Sequence, residues 1–202
     1  MTDQAPDALD RLAGIAAGSP LDTLRRERPQ TRDNVQASYA ALFEAPDETG
    51  ITQSERLAVA SFVALLHGGP AAEHYLGLLE AQPEGGKLAE LVRRQAERGA
   101  TEGPYGAYPP GPLSREDVAG PIFKVEVADR VALGERLATA LEHTHQLVFH
   151  LRDAKPDDFA PLKAASWSTP AIVTLSQTVA YLSFQIRAAH GLQVLGLHAL
   201  GV

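Results

Sequence analysis

Apolar residues along this chain recur every three or four positions instead of every second one, and that spacing predicts helices almost throughout. Near the N-terminus, Leu9, Leu12 and Ile15 mark a short helix that frays or docks. Ser19-Pro20 starts a short basic helix that ends before Pro29. Thr31 is placed to cap a helix over 32–44, with Val35, Tyr39, Leu42 and Phe43 on one side, and PDETG after it is a loop. Thr52-Gln53-Ser54-Glu55 has the capping-box pattern and opens a helix that runs to about His67. His67-Gly68-Gly69-Pro70 stops that helix and starts another, from Pro70 to about Ala81. Pro83-Glu84-Gly85-Gly86 breaks the chain again, and Leu88, Leu91 and Val92 mark one more helix.

The stretch 99–125, with GPYGAYPPGP at its centre, holds too much proline and glycine for a helix or a strand ladder. A loop of that length is a boundary or an arm wrapped on the fold. Beyond it a helix from Ala128 to about Arg152 carries Leu137, Leu141, Thr144, Val148 and Leu151 on one stripe. Ser168-Thr169-Pro170 opens the last long helix, with Ile172, Leu175, Val179, Leu182, Ile186 and Ala189 on one side and Tyr181 and Phe184 on the other. Apolar residues on two sides suit a central helix or a subunit contact. The fold class predicted is all-α: one multi-helical domain over 1–202, made of a helical half 1–98, the loop 99–125 and a second half 126–202.

Composition narrows the function classes. The 202 residues are 45% hydrophobic and 21% charged, which suits a packed core. A net charge of −7 argues against nucleic acid, and acidic neighbours dilute the short basic cluster Arg25, Arg26 and Arg28. Uninterrupted apolar runs of about 18 residues are missing, which argues against a membrane span. The MTDQAPDALDRL start does not read as a signal peptide, and a cytoplasmic location is the expectation. Cysteine is absent, which removes disulfides, thiolate metal sites and thiol nucleophiles together.

Glu55 is the first candidate for chemistry. It shares a stripe with Val59, Phe62 and Leu66, where lost solvation would raise its pKa toward values useful for proton transfer; equally, a Glu three residues after Thr52 is what a capping box requires. His67 and His74 flank the helix break, and a helix–turn–helix would bring them toward Glu55 in one pocket, although a histidine near a helix C-terminus also serves the loose carbonyls there. Their spacing is no metal-ligand pattern, and no metal or cofactor is expected. In the last helix Ser176, Ser183 and Arg187 line up; a buried Arg187 would need an acid partner or an anionic ligand, with Ser183 beside it. His143 and His150 project opposite the Leu137–Leu151 stripe, so a solvated or interface side is their default, and His145 flanks the stripe as packing. Trp167, just before the Ser168 cap, reads as a hydrophobic staple. Triads, phosphate loops and dinucleotide fingerprints are not found.

Glu55, eleven residues, His67, two residues, Pro70, three residues and His74 resemble the E-x11-C-x2-C-x3-H motif of carboxymuconolactone decarboxylase (CMD) and alkylhydroperoxidase D (AhpD)-like proteins. His67 and Pro70 stand where that motif has its cysteines. ITQSERLAVASFVALLHGG, RRERPQTRDNVQASYAALFE and WSTPAIVTLSQTVAYLSFQIRAAHGL are similar to segments of peroxidase-related CMD-domain members. The resemblance implies an all-helical, homo-oligomeric protein. Thiol peroxidase chemistry is excluded, because histidine and proline form neither sulfenic acid nor disulfide. Two functions are left: proton transfer on a small oxygenated substrate by Glu55, His67 and His74, or a non-catalytic role as a small-molecule binder or as oligomeric partner of a cysteine-containing relative.

Overall fold

The computed structural model describes residues 6–44 and 46–199; residues 1–5, with the first part of the MTDQAPDALDRL segment, lie outside the described set, as do 45 and 200–202. Among the described residues the chain is all-α. Ten α-helices follow one another: α1 (Ala8–Ala13), α2 (Pro20–Arg26), α3 (Pro29–Tyr39), α4 (Gln53–His67), α5 (Ala71–Glu80), α6 (Gly85–Gly99), α7 (Val127–Leu133), α8 (Glu135–Phe149), α9 (Ala160–Ala164) and α10 (Thr169–Ala199). An isolated bridge between Gly106 and Val118 is the extent of strand-like pairing among them. No helix there is long and apolar enough to cross a membrane.

The chain forms two compact units, one of 1–47 with 181–202 and the other of 48–180, so the 99–125 loop lies inside the second unit. Helix α10 gives its first part to the second unit and its remainder to the first.

In the first unit, α1 and α2 pack on α3, and a π-turn (Ala40–Glu44) prolongs α3. Helix α3 begins two residues before Thr31, because Pro29 presets its first turn, so Thr31 is not its cap. The C-terminal part of α10 is tied in by polar contacts: Tyr181 Oη donates to the Val35 carbonyl at 3.1 Å and Gln193 Nε2 to the Leu12 carbonyl at 3.2 Å. The unit also buries charge. Arg25 bonds Asp7 and Asp10, while Arg32 reaches Asp7, Asp10 and Asp22. The Gly18 N–H and then the Arg32 and Arg26 guanidinium groups hold the Asp22 carboxyl far below the usual carboxylate range.

The second unit is built around α4. Leu57 to Ala64 are buried on every side, and α5, α6 and α8 pack against that helix. The α4 entry is as expected: Thr52 Oγ1 accepts from the Glu55 N–H at 3.2 Å, and Glu55 Oε2 accepts from the Thr52 N–H at 2.9 Å. The helix expected over 128–152 is broken at Gly134, whose φ of 79° no helical residue adopts, and it ends at Phe149. Leu151, expected on the core stripe, is therefore 64% exposed. Trp167 is buried as expected, with its indole N–H donated to the Arg136 carbonyl at 2.9 Å.

The 99–125 segment is an arm held against the end of α8. Tyr105 N–H donates to the Phe149 carbonyl at 2.6 Å, and Ala107 N–H donates to Asp153 at 2.9 Å. Arg152 donates to the Glu116 carbonyl at 3.0 Å, with its guanidinium 4.2 Å from the Tyr108 ring centre. These contacts give an irregular backbone the partners that a helix would supply internally.

Candidate functional site

Helix α8 carries polar groups on a side that the arm at 121–124 and the turn with α9 at 155–162 cover. Between these pieces lies a cavity of ≈ 540 Å³, a size that suits a small molecule. His143, His145 and His150 all line it and are buried, with 6%, 2% and 9% of their surface exposed. The solvated side expected for His143 and His150 is corrected by this: Leu162, itself buried, brings α9 down over them.

Each imidazole is held differently. His145 Nε2 lies 2.9 Å from the Gly99 carbonyl oxygen, which requires the proton on that nitrogen and leaves Nδ1 with a lone pair. Its ring stacks on Phe123 at 5.0 Å and meets Phe149 at 4.8 Å. The fit at Gly99 is close: a Cβ on it would sit 3.1 Å from the His145 ring, which would have to give slightly. His150 Nε2 donates to the Pro121 carbonyl at 2.9 Å, and its Nδ1 lies 3.3 Å from Asp153. His143 Nε2 lies 3.2 Å from Ser176 Oγ on α10, while its Nδ1 is buried with no hydrogen-bond partner.

Burial pushes the His143 imidazole below its ordinary pKa, with Asp158 opposing. Burial also lowers His145; the Gly99 carbonyl acts the other way and His150 adds to the lowering. The Asp153 carboxyl is held below the usual range, first by the Ala107 N–H and then by His150. The cavity thus presents two neutral imidazoles, which exchange protons or hydrogen-bond a polar ligand without carrying charge.

Those lowered values carry a stability prediction. A folded imidazole that resists protonation favours the unfolded chain once pH drops below the free imidazole value of about 6.5. The stability held at pH 7.5 should therefore fall as pH drops below about 6.5, faster than in a His143→Phe, His145→Phe double variant. Denaturant midpoints at several pH values measure it, and parallel slopes for the two proteins would remove the assignment of neutral imidazoles.

The positions singled out by the motif spacing do not line this cavity. Glu55 stands in the first turn of α4 and His67 at its last position, twelve residues and about 18 Å apart along one straight ladder, so the expected single pocket for Glu55, His67 and His74 is corrected. The Glu55 carboxylate is committed to the Thr52 cap and to Arg136 Nε at 2.7 Å. His67 Nδ1 donates to the Val63 carbonyl at 2.9 Å, one helical turn back. His74 sits half-buried on α5, edge-on to Tyr75 at 4.9 Å. Arg187 is exposed and Ser183 half-buried, which corrects the buried arginine expected there; the charge faces water and needs no ligand. Among the described residues no group of histidines and carboxylates has the arrangement of a metal site.

The histidine cavity was readable only in hindsight. One sign was the apolar pair Leu162 and Trp167, which has to be buried on something. Another was the i, i+7 spacing of His143 and His150, which puts them on one stripe, with His145 on another side.

No family model matches this chain, and no curated protein or solved structure does so either. Among the described residues, fold and site define an all-helical protein with a pocket lined by histidines and carboxylates. The family resemblance rests on the residues quoted for it above.

Proposed function

We propose that this is a CMD/AhpD-like protein without thiol chemistry that binds a small oxygenated molecule in the α8 cavity, where His143 and His145 hydrogen-bond it or move its protons. The observation that carries this is the lining of one partly open, ligand-sized pocket by His143, His145 and His150, with burial lowering the pKa of the first two imidazoles. The Glu55, His67 and His74 set supports it less well, because the α4 ladder separates Glu55 from His67 and Glu55 already serves a cap and a guanidinium.

The test is a fragment screen by NMR on the full chain, followed through histidine ring signals. Binders should shift the His143 and His145 rings and leave His67 and His74 unmoved. Shifts confined to His67 and His74 would transfer the site to the α4–α5 corner and end this proposal.

A second function, as oligomeric partner of a cysteine-containing relative, is favoured by one feature, the loss of both motif cysteines at His67 and Pro70. Co-purification with such a relative, with no fragment bound at α8, would select it.

A further inference from the structure

Resting on the cavity assignment above, we propose that its ligand is a small hydroxyl compound, an alcohol or a phenol, whose O–H donates to His145 Nδ1. Two observations support this: the Nδ1 lone pair is fixed in place, and it opens on the cavity.

Gly99 fixes the lone pair. His145 Nε2 lies 2.9 Å from the Gly99 carbonyl oxygen, and a carbonyl only accepts, so that nitrogen carries the ring proton. Burial, the largest influence on this imidazole, lowers its pKa and favours the uncharged ring, which holds an acceptor at Nδ1. His143 differs, because its hydroxyl partner Ser176 either donates or accepts and leaves the tautomer open.

The opening follows from what surrounds the ring. Phe123 stacks at 5.0 Å and 25°, Phe149 closes in at 4.8 Å, and Gly99 lies against the Cδ2 edge. Those neighbours leave the edge that carries Nδ1. Among the described residues Nδ1 takes no hydrogen bond, and unlike His143 Nδ1 it is not sealed from solvent. His145 is 2% exposed and lines the cavity, so that small remainder of surface faors the space a ligand would enter.

An acceptor in that position discriminates among oxygenated molecules. A hydroxyl reproduces the donation that water makes to such a nitrogen. An ether, ketone or ester oxygen displaces water and sets lone pair against lone pair. A carboxylate adds charge to the same conflict, in a wall that already holds Asp157 and Asp158. An ammonium also donates, so the probe set includes one.

The experiment compares matched probes on the full chain: phenol, its methyl ether anisole, and benzylamine, titrated by NMR with the His145 ring nitrogens as reporter. Phenol should bind about five- to tenfold more tightly than anisole, and phenol alone of that pair should shift the Nδ1 resonance. His145→Gln keeps an amide donor for the Gly99 carbonyl and removes the Nδ1 acceptor, so it should bring phenol down to the affinity of anisole. His145→Phe is the second variant if the first unfolds. Equal binding of phenol and anisole at the cavity rings would overturn the ligand class and leave the cavity assignment standing. Benzylamine bound more tightly than phenol, with the same dependence on His145, would overturn the hydroxyl in favour of an ammonium. A phenol preference that survives in the folded His145 variants would overturn the anchor. Absence of all three probes from the cavity at millimolar concentration would overturn the site and this inference together.

Discussion

Arg32→Met should cost the protein about 3–5 kcal/mol of unfolding free energy, the largest single-residue loss expected outside the apolar core. The Arg32 side chain is 7% exposed and faces three carboxylates, which lie at 3.4 Å (Asp7), at close contact (Asp10) and at 2.8 Å (Asp22). Removing the guanidinium leaves buried Asp10 and Asp22 with fewer donors and no water to replace them. Arg25 still serves Asp7 and Asp10, and Arg26 serves Asp22 from a more exposed position, so the network is weakened instead of abolished. Chemical denaturation followed by circular dichroism measures the loss. A change under 1 kcal/mol would show that the cluster is solvated in solution. Asp22 adds a direction in pH: its depressed carboxyl stabilises the fold above the ordinary carboxylate range, and that contribution is lost as acid approaches its folded value.

Arg136→Ala should cost about 2–4 kcal/mol, and Arg136→Lys should restore less than half of it. One guanidinium here joins three segments. Its Nε donates to Glu55 at 2.7 Å, one terminal nitrogen to the Ser166 carbonyl at 2.8 Å and the other to the Gly50 carbonyl, while its plane lies 3.9 Å from the Trp167 ring centre. An ammonium keeps the charge but loses the planar fork, and a side chain 32% exposed tempers the electrostatic share. Thermal unfolding of the two variants decides it. Equal stability of wild type and Arg136→Lys would mean that charge alone matters. The same bonds explain why Glu55 is held as a structural carboxylate.

How much was legible can be judged residue by residue. The Thr52–Glu55 box, the Gly68-Gly69-Pro70 break and the Ser168 start are local: each sets the backbone of its own few residues, and each is where the pattern places it. The Gly134 break inside 128–152 was missed because a lone glycine within a helical pattern is ambiguous until its φ is known. The α8 histidine pocket was not anticipated. Motif spacing put weight on Glu55, His67 and His74, while His143 and His150 project opposite the Leu137–Leu151 stripe, and the arm and α9 that meet them lie outside their helix.

The all-helical class, the start and stop signals at Thr52, Gly68-Gly69-Pro70 and Ser168, and the exclusion of thiol chemistry were settled by the amino-acid sequence alone, since each depends on residue type and short spacing. Which side of α8 is buried, which histidines share a cavity, and which arginine is paired were settled only by tertiary structure. Those outcomes depend on segments far apart in the chain: the arm at 121–124, α9 with Leu162, and Ser176 on α10 are each brought to α8 by burial of apolar surface elsewhere, and hydropathy along one helix carries no record of what the rest of the chain lays over it.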